Sequence, residues 1–220
     1  MFTGFSSEAV DFFWQIRFNN SREWFQPRKE EFSALVMRPT KQLAEELYDW
    51  FRQTYPELRL NLHISRIYRD ARRLFGRGPL KDNIWFSFQN EIGTNGEAPC
   101  FWFELGCEGY GYGFGYWAQP SAAQRYRKKI DLEPKKFEKL VRSLEKQDVF
   151  VLEGPEYAKP KGHAAEPIGK WYNKKWVSLA CHRSCDELFC SRELLTAVQD
   201  GFSSLVPFYR FMDQIYRSTD

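Results

Sequence analysis

No stretch of the 220-residue sequence approaches the roughly 18 consecutive apolar residues that a membrane-spanning helix needs, so none is expected. Met1 to Ser7 holds no basic segment followed by an apolar run, and the expectation is a cytoplasmic protein. No Gly/Ser/Pro-rich linker divides the chain and no internal repeat runs along it. A single globular domain is therefore expected, with 1–55 as a helical cap, 56–182 as a sheet with inserted helices and 183–220 as C-terminal helices. Excess charge is also scarce: 32 Lys and Arg stand against 29 Asp and Glu, a net charge of +3. That falls short of a dedicated nucleic-acid binder, so any such role must rest on local clustering. The cysteines number five, an odd count in a chain without a secretion signal, which points to thiols rather than a disulfide framework.

What the chain has in abundance is aromatic side chains, 18% of its residues. With 43% hydrophobic residues in all, it can build a large core. The first quarter reads as helical. Ser6 is placed as a cap before Val10, Phe12, Phe13 and Ile16; Asn20 and Glu23 have capping-box spacing ahead of Phe25, Phe32 and Val36; Thr40 is placed as the cap of a helix carrying Leu43, Leu47, Trp50 and Phe51. The middle changes period. Asn61 to Asp70, Ile84 to Phe88, Phe101 to Leu105 and 109–117 read as antiparallel strands, with a turn at Gly93 to Gly96. Helices follow from Ser121 and from Pro134, then strands near Val149 and Trp176, then one helix after Ser191 and another after Gly201. The fold class is α+β, a mostly antiparallel sheet covered by N-terminal and C-terminal helices.

The densest charge lies from Arg66 to Lys81, where Arg66, Arg69, Arg72, Arg73, Arg77 and Lys81 accompany one acid, Asp70. In a continuous strand over Asn61 to Asp70, Leu62 and Ile64 share a face with Arg66, Tyr68 and Asp70, so an apolar side turns polar at the lip of a pocket. Arginines suit bidentate capture of phosphate or carboxylate, and Gly76, Gly78 and Pro79 form a loop whose backbone can come close to an anion. The competing reading is a solvated run of surface ion pairs. The alternation from Gly109 to Tyr116 puts glycines on one face and Tyr110, Tyr112, Phe114 and Tyr116 on the other, open either to close packing or to base stacking. Cys181, His182, Cys185 and Cys190 lack zinc-knuckle spacing, with His163 upstream, and neither a metal nor another cofactor is expected. The acid–base candidates are Asp70, Glu23, Glu104 and Glu108, none of them a recognised pair, and no catalytic residue is assigned.

Asn19, Asn20, Glu23, Trp24, Phe25 and Lys29, followed by Arg66, Tyr68, Arg69, Asp70, Arg72, Pro79 and Lys81, resemble the hallmark segments of the uncharacterised domain-of-unknown-function family 2461. Gly115 to Trp117, Arg125 with Ile130, and Pro160 with Gly162 continue the resemblance in order. It brings Trp24 and Lys29 to the candidate site and implies no established activity. Where that family reads Arg-Asp-x-Arg-Phe-Ser-x-Asp-Lys-x-Pro-Tyr-Lys, this chain places Leu74, Gly76 and Leu80 at the Ser, second Asp and Tyr positions. Any chemistry of those three groups is lost here, while the retained Arg69, Asp70, Arg72 and Lys81 still support binding.

The expected function is capture of a small anionic ligand, bearing phosphate or carboxylate, by Arg66, Tyr68, Arg69, Asp70, Arg72, Lys81, Trp24 and Lys29. The alternatives are a phosphoester hydrolase or transferase using the same pocket, or a single-stranded nucleic-acid module stacking bases on Tyr110, Tyr112 and Tyr116. No membrane partner is expected, and the sequence does not fix the oligomeric state.

Overall fold

A computed structural model describes residues 1–90, 98–116, 120–162 and 164–217. The expected turn at Gly93 to Gly96, Trp117 and His163 lie outside the described residues. The elements run α1 (Ser7–Phe18), α2 (Arg22–Phe25), α3 (Lys29–Phe32), α4 (Arg38–Thr54), β1 (Leu60–Ile64), β2 (Asn83–Asn90), β3 (Cys100–Gly106), β4 (Gly109–Tyr116), α5 (Pro120–Leu132), α6 (Pro134–Leu144), β5 (Val151–Glu153), α7 (Gly169–Tyr172), β6 (Val177–Arg183) and α8 (Glu193–Arg217). The described strands form a six-stranded antiparallel sheet in the order β1-β2-β3-β4-β6-β5, and the fold is α+β as expected. No helix among the described residues is long and apolar enough to cross a membrane. By internal contacts the chain divides into two compact units, one of Met1–Phe88, Trp102–Tyr112 and His182–Asp200, the other of Gln89–Phe101, Gly113–Cys181 and Gly201–Asp220.

The first unit is built on rings. In β2, Ile84, Phe86 and Phe88 point inward while Asn83 and Trp85 alternate outward, the period of two expected of a strand with one covered face. Phe86 stacks on Phe103 at 5.1 Å, and Phe5 stacks on both Phe103 and Phe189. Helix α4 buries Leu43, Ala44, Leu47 and Phe51 at helical spacing, and Phe51 meets Phe88 at 5.0 Å. Tyr110 lies between Phe103 and Phe189. The second unit repeats the scheme: Phe101 stacks on Tyr209, Phe137 packs on Phe211 and Trp171 on Phe208, while β5 pairs with β6 through Val151 opposite Ala180. Tyr110, Tyr112 and Tyr116 are only 3%, 3% and 1% exposed. They belong to the core and offer bases no stacking surface, which removes the footing of the nucleic-acid reading. The glycine face of β4 answers to a strand rather than a helix: a Cβ at Gly113 would stand 1.9 Å from the carbonyl oxygen of Leu179 in β6.

Several local expectations are replaced. The Ser6 hydroxyl makes no cap bond and is buried without a partner. Ser21, not Asn20, caps α2 by accepting from the Trp24 N–H at 3.2 Å. Pro27 sits in a 3-10 turn, a π-helical turn over Ser33–Met37 leads straight into α4, and Thr40 is buried inside that helix rather than capping it. The strand expected over Asn61 to Asp70 stops at Ile64. Ser65 donates its N–H to the Trp85 carbonyl and then offers its hydroxyl, not its own carbonyl, to the Trp85 N–H, so the ladder ends there. Finally α8 passes through Gly201 and Pro207 as one helix. Burial of Leu194, Val198, Phe202, Leu205 and Tyr209 along it outweighs the low helix propensity of those two residues.

Candidate functional site

The basic segment lies wholly within the first unit. Two short stretches, 67–69 and 79–81, pair antiparallel: Arg69 donates to the Pro79 carbonyl and Lys81 to the Ile67 carbonyl, each at 2.8 Å, with Tyr68 opposite Leu80. Asn20 brackets the join. Its Nδ2 donates to the Leu80 carbonyl at 2.9 Å and its Oδ1 accepts from the Leu80 N–H at 2.8 Å, so a side-chain amide stands in for a third strand. Gly78 is required by that bracket, because a Cβ there would lie 2.3 Å from Asn20 Cγ.

The charged groups of the segment are largely taken up by their own loop. Arg69 donates Nε to the Leu80 carbonyl at 2.9 Å and Nη2 to Asp82 at 3.4 Å. Asp70 accepts from the Arg72 N–H at 3.0 Å, capping the 3-10 turn Ala71–Arg73, and holds the Arg72 guanidinium through both carboxylate oxygens. That pairing raises the Arg72 pKa further. Arg66 is exposed and makes no ion pair among the described residues. Tyr68 is half-buried with its edge to Phe25 at 5.8 Å. Trp24 packs on Phe12 and carries the Arg28 guanidinium over its ring, while Lys29 is exposed on α3. The segment thus joins Arg69, Tyr68 and Lys81 in one ladder and Asp70 with Arg72 in one turn; the ring contacts of Trp24 lie with helical residues outside both.

Lys81 differs from the arginines. It is half-buried, with Nζ 5.7 Å from the centre of the Trp85 indole, and no carboxylate lies within ion-pair distance of it among the described residues. Burial, then the neighbouring Arg69, push its pKa down.

The outward face of the sheet carries a cleft of about 550 Å³ in the same unit. Asn83, Trp102, Glu104, Gly111 and His182 line it, with Arg17 and Asp82 also at its wall; none of the eight residues expected from sequence does. Arg17 is held by Asp82 at 2.8 Å and by Glu108 at 3.5 Å. Asp82 is kept below the usual carboxylate range: burial works against this, but the hydrogen bond from Arg17 and the charges of Arg17 and Arg69 prevail. Glu104 moves the other way. Burial raises it, only partly opposed by the 3.2 Å hydrogen bond from Asn83 Nδ2 and by the charges of His182 and Lys81. The Trp102 and His182 rings lie 6.1 Å apart.

Sequence reasoning named Glu104 only as a scattered acid and His182 as a metal candidate or the weaker half of a Cys-His pair, and it missed Trp102. The available signal was alternation in β3: Phe101, Phe103 and Leu105 face inward, so Trp102 and Glu104 face out together. Cys181 is buried in β6, and Cys185 and Cys190 are exposed thiols beyond it. Among the described residues no three His, Cys, Asp or Glu side chains gather as a metal site.

Compared with curated proteins, the chain matches none. The family model described as "Conserved hypothetical protein (DUF2461)" matches residues 8–211, nearly the whole chain, in agreement with the resemblance carried by Asn20, Arg69, Asp70 and Lys81. The chain, with its bracketed basic loop and its outward-facing cleft, belongs to the DUF2461 family.

Proposed function

We propose that the protein binds a small anionic ligand, bearing phosphate or carboxylate, on the outward sheet face of its first unit, with Lys81 as the principal cationic contact. The observation that carries this reading is the state of Lys81: a half-buried ammonium with no ion-pair partner among the described residues. A buried charge without a counter-charge is costly, and an incoming anion removes that cost. Trp85 beneath the amine restricts its position, and Arg69 adds a second positive charge nearby while holding the loop carbonyl of Leu80. Exposed Arg66 supplies a further guanidinium, and Asp70 keeps Arg72 in a fixed orientation. Tyr68 lies opposite buried Leu80 with its ring against Phe25, Trp24 packs on Phe12 and Lys29 is exposed on α3, so this reading draws its contacts from Lys81, Arg69 and Arg66 instead. The retained residues of the family pattern are the ones this reading uses.

Titration of the full chain with inorganic phosphate, followed by calorimetry or amide chemical shifts, tests it. Lys81→Met is expected to weaken binding about tenfold or more, the scale of one lost charge-assisted contact of about 1.5–3 kcal/mol. Arg66→Ala is expected to have a smaller, salt-sensitive effect. Unchanged affinity in a folded Lys81→Met variant would sink the assignment.

A further inference from the structure

Lys81 has a counterpart of opposite sign that it does not pair with. Glu104 is half-buried on the neighbouring strand, and no cation stands within ion-pair distance of its carboxylate among the described residues. Lys81, Asn83 and Trp85 alternate onto one face, and the bond from Asn83 to Glu104 places the carboxylate on that same face. The two charges feel one another, yet Glu104 takes its hydrogen bond from the Asn83 amide and Lys81 rests over Trp85. Trp102, adjacent to Glu104 in the cleft lining, supplies an aromatic wall.

A ligand with only an anionic group satisfies Lys81 and leaves Glu104 bare, with Asp82 close by to oppose further negative charge. A ligand with only an amine does the reverse. From this arrangement we propose that the site takes a small zwitterion, its phosphate or carboxylate on Lys81 and its primary ammonium on Glu104 beside the Trp102 indole. Each buried charge then gains the partner it lacks, and the indole adds a favourable cation contact. The proposal rests on the anion-binding reading given above and adds the second, cationic half of the ligand.

The experiment compares matched probes on the full chain at neutral pH: inorganic phosphate against phosphoethanolamine, acetate against β-alanine, and ethanolamine alone. The amine-bearing member of at least one pair is expected to bind about tenfold tighter than its simple anion, with ethanolamine weakest. Which pair shows the gain tells whether the acidic group is phosphate or carboxylate. In Glu104→Gln, which keeps the side-chain shape, that preference is expected to vanish while the simple anion binds as well or better. In Lys81→Met, both members of the pair are expected to lose affinity. Equal binding within both pairs, or a preference that survives Glu104→Gln, overturns the zwitterion and leaves the anion reading standing. Absence of binding by every probe, or binding indifferent to Lys81→Met, overturns both. Thermal unfolding of each variant, within a few degrees of the parent, establishes that folded proteins are being compared.

Discussion

Asn20 shows how one side chain fixes a loop. Its amide satisfies both backbone groups of Leu80, and the residue that makes room for it, Gly78, lies two positions earlier in the same loop. Removing the bracket leaves the partly buried Leu80 N–H without its partner and its carbonyl with Arg69 alone, at about 1–3 kcal/mol. Gly78→Ala is expected to destabilise by a similar amount through collision with Asn20, and the two changes should be strongly non-additive: in an Asn20→Gly background, Gly78→Ala costs little more. Urea denaturation of the two single variants and the double variant measures the coupling, and additive costs would refute the bracket. This role was only half legible in the sequence. The spacing of Asn20 and Glu23 suggests a helix cap, yet the neighbouring Ser21 reaches the Trp24 N–H, which leaves Asn20 available to a segment 60 residues away. Local spacing carries no information about such a partner.

At the scale of elements, the strands were more legible than the helices. The inward phenylalanines of β2 and β3 announce themselves by alternation, and the same alternation contains the cleft residues Trp102 and Glu104. The helix boundaries were governed by packing instead, which is why α8 continues through Gly201 and Pro207 where the sequence suggests two helices. Strand β4 is tightly constrained at one of its glycines. At Gly113 the β6 backbone comes so close that no side chain fits, so Gly113→Ala is expected to cost about 3 kcal/mol or more, or to prevent folding. Gly76, with open space around its missing Cβ and a φ of +79°, is the matched comparison, at about 1 kcal/mol for Ala. Equal stability of the two variants in thermal unfolding would contradict the close approach.

Across the whole chain, the first unit draws on three separate stretches of sequence, and contacts between distant positions hold it. Arg192 donates to the Phe2 carbonyl at 2.6 Å and to Glu46 at 2.9 Å, and the Phe2 N–H donates to Glu46 as well. Burial works against the Glu46 charge, but the Phe2 N–H and Arg192 prevail and hold its pKa below the usual value. A depressed folded-state pKa stabilises the protein above the ordinary carboxylate range, and the gain is lost as pH falls through it. Glu46→Gln is therefore expected to cost about 1–2 kcal/mol at pH 7, and the difference from the parent should shrink below about pH 4. A difference independent of pH in denaturation at pH 3 and pH 7 would remove the carboxylate from this account. Such a clamp, joining positions 2, 46 and 192, was invisible to any sequence window, as was the meeting of Lys81 and Glu104 on one face. The ladder of 67–69 with 79–81 has a further consequence. Its register is held from outside the loop by Asn20, and the tip beyond it carries Phe75, 82% exposed, beside an unobstructed Gly76. Between the two fixed ends at Asp70 and Gly78, substitution inside 71–77 alters what the tip presents while the scaffold beneath stays put, so this stretch can diversify at little cost to folding, and the departures at Leu74 and Gly76 lie where the architecture tolerates novelty.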